Sequence, residues 1–402
     1  MFDNIIGHTS VIEQMKKEIS TNAFPPAVLL TGPLYTGKQT IALETARAIT
    51  CSEKAHWNCK CESCRLNRVL SNPSILLLGS DLFIPEISTA KKLLERKKEA
   101  VSCFLFIRSV RKLLRRFDPV FTEENDTKYK KISALVNTVQ DLLNDFDPEY
   151  LKGEDVIDID LKKAEIILEH CRTIVRDYNF SSIPVDQIRK AVYWLRFSGY
   201  SSKKVIIIEN AENMNDSSRN ALLKILEEPP ENTFFILLTS RPGEIIPTIK
   251  SRLRKYEFAG RTIAENKIVI EKIFREESAI FTDLKNYLNS SIPEIEIIKK
   301  AAKQFIFDLF DNAREEEGVG PEVRNILKAQ YSQYFPEFLE ELSRLSSELL
   351  GSGEFIDDSP GRLSLISYFG YLINESYKGF DLLNINHELL VESMFLELKK
   401  RI

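Results

Sequence analysis

Two hydrophobic periods alternate along the first two-thirds of the chain. Val11, Ile12, Met15 and Ile19 share one helical face, which predicts a helix over 11–20. Asn22 to Pro26 breaks it. Ala27-Val28-Leu29-Leu30 is then a short unbroken apolar run, the pattern of a strand buried on both faces. Ser74 to Leu78, Val205 to Ile208 and Phe234 to Leu238 repeat that pattern. Helices are predicted between them. One covers Ile41 to Ile49. Another runs from Asp186 to Phe197, with Ile188, Val192 and Leu195 on one face. A third runs from Asp216 to Glu228 and is stopped by Pro229-Pro230. Strands interleaved with helices predict a parallel sheet covered on both faces. After Phe258 no strand pattern recurs, and 262–402 reads as helical throughout, with one Gly/Ser/Asp/Pro-rich loop from Gly351 to Gly361.

One region interrupts this alternation. From about 83 to 182 glycine nearly vanishes, and helical runs are predicted over 88–116, 129–144 and 160–177. Pro119, Pro148 and Lys152-Gly153-Glu154-Asp155 punctuate them. This is read as a helical insertion. Between Ser88 and Arg116 there are ten Lys or Arg against two Glu. Such a run is either a solvated face or a contact surface for DNA or a partner subunit.

Bulk properties narrow the class. The 402 residues suggest two or three domains. A hydrophobic fraction of 43% and a net charge of −4 fit a globular protein with no bulk attraction to nucleic acid. No run approaches the length of a membrane span, and the opening residues lack a signal-peptide pattern, so the expected compartment is the cytoplasm.

Candidate chemistry begins after the first strand. Gly32-Pro33-Leu34-Tyr35-Thr36-Gly37-Lys38-Gln39-Thr40 has the strand–glycine loop–helix setting of a phosphate-binding loop. Backbone N–H groups and a helix N-terminus would cradle phosphate, with Lys38 on the outer phosphates. The position that needs a hydroxyl for Mg²⁺ holds Gln39 instead. A metal-organising acid is expected at the end of a buried strand, and Glu209 is the candidate. Asn210 occupies the place of a catalytic base, but an amide cannot take a proton from water at neutral pH. Cys51, Cys59, Cys61 and Cys64 form a cluster that suits a closed, structural Zn²⁺ site. His56 is a substitute ligand, and four reduced thiols without metal is the other reading. Cys103 and Cys171 read as buried small hydrophobes.

Several stretches together resemble the bacterial DNA polymerase III clamp-loader subunits. They are Asn220-Ala221-Leu222-Leu223-Lys224-Ile225-Leu226-Glu227-Glu228-Pro229-Pro230, Leu238-Thr239-Ser240, Ile249-Lys250-Ser251-Arg252-Leu253 and the opening Phe2-Asp3-Asn4-Ile5-Ile6-Gly7-His8. The resemblance covers 1–82 and 183–260, and 261–402 by helical character. It implies an α/β AAA+ P-loop domain with a parallel sheet over 1–260, carrying a zinc module (51–64) and the insertion (83–182). An all-α lid (261–312) and an all-α collar that joins subunits (313–402) would follow. The family has four cysteines at the cluster, with two residues between the second and third where this chain has only Lys60. It also implies that Thr239 occupies a nucleotide-sensing position, and that Arg252 reaches a neighbour's ATP site as an arginine finger. Gln39, Glu209-Asn210 and the absence of an arginine near Asn289 to Pro293 favour the delta prime type over the ATPases gamma and tau.

The expectation is therefore a component of the DNA polymerase III holoenzyme with little ATPase of its own. Its expected partners are gamma/tau, delta, the sliding clamp and primed DNA. Whether ATP still binds stays open. An active gamma/tau-type ATPase is the alternative. A stand-alone P-loop NTPase or nucleotide kinase leaves the cysteines, Asn220 to Pro230 and the helical C-terminal third unexplained. A zinc-dependent nucleic-acid module does not fit a cluster set inside an α/β domain.

Overall fold

A computed structural model describes residues 1–80, 82–122, 127–146, 160–178, 180, 182–196, 203–277, 281, 283–310, 318–352, 359–381 and 385–401. The chain divides into two compact units, 1–291 and 292–402.

The first unit is built on five parallel strands. They are β1 (Ala27–Thr31), β2 (Ile75–Leu78), β3 (Lys204–Ile208), β4 (Thr233–Thr239) and β5 (Arg254–Glu257), in the order β2-β3-β4-β1-β5. Helices α1 (Thr9–Ser20), α2 (Lys38–Thr50), α3 (Glu62–Arg68), α4 (Phe83–Arg96), α5 (Ala100–Leu114), α6 (Thr127–Leu143), α7 (Leu161–Tyr178), α8 (Val185–Arg196), α9 (Asp216–Glu227) and α10 (Pro247–Lys250) connect them. Alternate residues of β1 point to opposite faces. Val28 and Leu30 join a core with Met15 of α1 and Ile41, Ala42 and Ala46 of α2. Ala27 and Leu29 join Ile188 of α8 and Leu222 of α9. Both faces are covered, as the unbroken apolar runs require.

The two sheet edges are protected differently. β5 is polar, and only Tyr256 of its four residues is buried, so charged side chains guard the edge. That polarity hid the strand from the hydrophobic pattern. β2 is wholly buried at the opposite edge, and Arg115, just after α5, donates to the Ile75 carbonyl there.

The insertion has a core of its own, centred on Phe106, Ile107, Val110, Val139, Ile167 and Ile174. The run predicted as one helix over 88–116 is two, since Glu99 caps α5 after a break at Lys97. Its basic excess is not a free cationic surface. Arg108 donates to the Asn67 and Arg68 carbonyls at 3.0 and 2.8 Å, and Arg111 to Val69 O at 2.8 Å, so both cap the C-terminus of α3. Lys112 pairs with Glu86, Arg115 with Asp118 and Arg116 with Glu209. The predicted breaks at Pro148 and 152–155 lie outside the described residues, as does Phe197.

The expected lid is divided between the units. Helices α11 (Ile263–Ile273) and α12 (Leu284–Asn289) fall in the first, where Thr89 of α4 donates to the Leu288 carbonyl. Helix α13 (Pro293–Phe310) falls in the second, with α14 (Pro321–Ile326), α15 (Phe335–Ser352), α16 (Ser359–Asp381) and α17 (His387–Lys399). Phe305, Phe338, Phe369 and Phe395 meet in that unit's core. The predicted loop over 351–361 lies mostly outside the described residues, and its two ends are helical. No described helix is long and apolar enough to cross a membrane.

Candidate functional site: the two ends of one helix

Helix α2 carries both candidate sites. At its start, Gly32 and Gly37 have φ of +151° and +87°. A side chain at Gly32 would lie 2.2 Å from the Phe258 carbonyl oxygen, so glycine is required there. The Lys38 ammonium is buried and donates to the loop's own carbonyls, 2.6 Å to Gly32 O and 2.5 Å to Pro33 O. His8, from the Phe2-to-His8 opening, donates through Nε2 to Thr36 O at 3.1 Å. Burial first, and then the charges of Arg261 and Lys38, hold His8 below its ordinary value. Arg261 lies over the loop and donates to Tyr35 O at 2.8 Å.

Glu209 directly follows β3 and is buried. The Gln39 amide donates to its Oε1 at 2.8 Å. Arg116, brought in by the insertion, donates to its Oε2, and through Nε to the Gly79 carbonyl at 2.8 Å. The residues at the Mg²⁺ position therefore do not fit Mg²⁺. An amide replaces the hydroxyl, and the carboxylate is neutralised by a guanidinium. Asn210, in a left-handed backbone conformation, donates to Ser80 O and Oγ at 3.1 and 3.2 Å. Thr239, buried at the end of β4, accepts from the Arg241 N–H at 3.0 Å. Thr40 is half-buried, one residue beyond Gln39. Gly32, Gly37, Lys38, Gln39 and Glu209 are thus brought together. Arg116 and Arg261 were missed, because contacts across 93 and 226 residues leave no periodic trace.

At the other end of α2, the sulfurs of Cys51, Cys59, Cys61 and Cys64 all lie within 4.8 Å of one another. Cys51 Sγ is 3.7 Å from that of Cys59 and 3.8 Å from that of Cys61. A tetrahedral zinc with bonds of about 2.3 Å needs sulfurs about 3.8 Å apart, so the four residues fit this metal. Lys60 alone suffices as the spacer between Cys59 and Cys61. Burial raises the Cys61 thiol, but hydrogen bonds from the Cys64 backbone and from Ser52 bring it down to about 6. Arg47, in the last turn of α2, donates to Cys64 Sγ at 3.0 Å, to Ala55 O at 3.0 Å and to His56 O at 3.3 Å. Glu44 holds Arg47 in a buried pair at 2.7 Å and accepts the Phe2 N–H at 3.0 Å. His56 contributes its carbonyl here.

Arg252 lies apart from both sites, just beyond α10. It is exposed, donates to Thr248 O at 2.8 Å and pairs with Glu227 of α9 at 2.5 Å.

A parallel sheet in this order, with a glycine loop between β1 and α2, defines an AAA+ P-loop domain followed by helical elements. A family model described as DNA polymerase III, delta subunit, matches residues 7–262, well over half of the chain, and the chain belongs to that family. The delta′ subunit of Pseudomonas aeruginosa is 44% identical over 71 residues, 17% of this chain and 22% of that one. That of Escherichia coli K12 is 33% identical over 88 residues, 22% of this chain and 26% of that one. The gamma/tau subunit of Mycobacterium tuberculosis H37Rv is 35% identical over 83 residues, 21% of this chain and 14% of that one. The match thus spans about a quarter or less of each of these curated relatives. A solved gamma subunit-related protein from Thermotoga maritima matches over 97% of this chain and 99% of that one, at 15% identity and a TM-score of 0.39.

Proposed function

We propose that the chain is a delta prime-like subunit of the DNA polymerase III clamp loader, acting in the cytoplasm with gamma/tau and delta subunits. It helps open a sliding clamp and place it on primed DNA. Its own nucleotide site is degenerate, and it lends Arg252 to a neighbouring ATPase site. In this reading 1–260 is the AAA+ domain, α11 to α13 supply the lid, and 313–402 forms the collar.

The observation that carries this reading is the contrast between two arginines. Arg116 is buried on Glu209 and removes the metal site. Arg252 is held by an exposed ion pair with Glu227 and one hydrogen bond to the Thr248 carbonyl, and exposed ion pairs are worth about 0–1 kcal/mol, so little opposes its release toward a neighbour. A finger supplied in trans stabilises charge on the transferring phosphoryl group, worth about 10³–10⁵ in rate.

The test is a loader reconstituted with the Arg252→Ala chain. Clamp-stimulated ATP turnover at the neighbouring site should fall by about 10³. An unchanged rate sinks the finger assignment. The isolated chain should turn over ATP negligibly. A steady rate that Lys38→Ala abolishes would identify an active gamma/tau-type ATPase instead.

A further inference from the structure

The misfit at the Mg²⁺ position has a positive side. Arg116 is 3% exposed and packs over the Phe83 ring at 5.4 Å. Its Nε and Nη2 are committed to Gly79 and Glu209. Its Nη1 is buried with no partner among the described residues. A buried guanidinium N–H without an acceptor is costly, and it marks a place where an anion would be stabilised. Glu209 joins this guanidinium, through Nη2, to Gln39 in the first turn of the 13-residue helix α2. A metal in this position would cancel the Glu209 charge and draw in phosphate. Arg116 already cancels that charge and offers a donor. Arg261, which donates to Tyr35 O of the loop, adds a second guanidinium whose buried Nε is also unpartnered.

We infer that Arg116 is a built-in cation that replaces the divalent metal, making this loop a metal-independent site for the di- or triphosphate tail of a nucleotide. The inference rests on reading Gly32 to Thr40 as a phosphate loop. It goes beyond the proposed function, which needs no nucleotide at this site. On binding, Lys38 would exchange its carbonyl partners for phosphate oxygens. The Arg116–Glu209 pair would stay in place, and no bond would be made or broken.

The experiment titrates a fluorescent ADP analogue against the full chain, once in EDTA and once in excess Mg²⁺. Unlabelled pyrophosphate as competitor separates a phosphate site from a nucleotide site. Binding should persist in EDTA and should not tighten in excess Mg²⁺, which has no position on the protein and can only compete for the free nucleotide's phosphates. Arg116→Met should weaken binding at least tenfold in EDTA. Because that variant strands Glu209, the double variant Arg116→Met/Glu209→Leu, checked for native circular dichroism, should show the same loss. Three results would overturn the inference: no binding in EDTA, binding at least tenfold tighter with Mg²⁺, or full affinity in the folded double variant. Each of these leaves the Arg252→Ala result in the reconstituted loader untouched, so the two readings fail separately.

Discussion

The two ends of α2 handle the same problem in opposite ways. At the C-terminal end, four thiols converge to the spacing of a tetrahedral metal, and Arg47 stands behind them as a donor to Cys64. At the N-terminal end, a carboxylate and an amide converge where a metal would sit, and Arg116 has taken the metal's part. In each case a buried arginine balances negative ligands. What differs is whether the arginine supports a ligand set or is itself the cation. A residue inventory would call both ends metal sites. The hydrogen bonds separate them.

The largest test of this contrast is removal of the thiolates. The double substitution Cys51→Ser/Cys64→Ser should reduce bound zinc from about one per chain to none in metal analysis and weaken the first unit by several kcal/mol, because structural zinc binding is folding free energy. Full zinc occupancy in that variant would dissolve the contrast. Next is Arg116→Met. Stranding the buried Glu209 carboxylate should cost about 3–5 kcal/mol in urea denaturation, and adding Glu209→Leu should recover most of it. Wild-type stability in the single variant would show that Arg116 is not the balancing charge. Arg47→Met should follow, lowering zinc affinity by about 10–100-fold in competition with a chelator while the four cysteines stay in place. The smallest effect is expected from Gln39→Thr. Restoring the hydroxyl should change stability by under about 1 kcal/mol and give no Mg²⁺-dependent phosphate release, because Glu209 remains with Arg116. Turnover in that variant would mean that Gln39 alone had kept the metal out.

Local features were legible in the chain. Four strands announced themselves as unbroken apolar runs, and the cysteines by close spacing. β5 did not, because Arg254-Lys255-Tyr256-Glu257 buries only Tyr256 and so shows no apolar run. The glycine loop was legible as a motif, as was the amide of Gln39 where a hydroxyl was expected. The closure of its metal position was not, since that depends on Arg116 and Glu209 meeting across 93 residues. The basic run misled for a related reason. Composition counts charges, and only folding reveals that Arg108 and Arg111 are spent on the carbonyls that end α3.

Those same carbonyls tie the insertion to the cysteine end of α2, as Arg116 ties it to the loop end. Helix α2 spans about 20 Å. Both of its ends are therefore referenced to one helical body whose apolar core is separate from the sheet's. The linkage is polar, made of side chains reaching backbone oxygens and one carboxylate. A splint of this kind has a kinetic signature. The amides of α2 should exchange with deuterium as one cooperative unit with α5, slowing or quickening together whichever end is disturbed. The insertion, which first read as an excursion from the fold, would then set the rate at which the phosphate-loop helix opens.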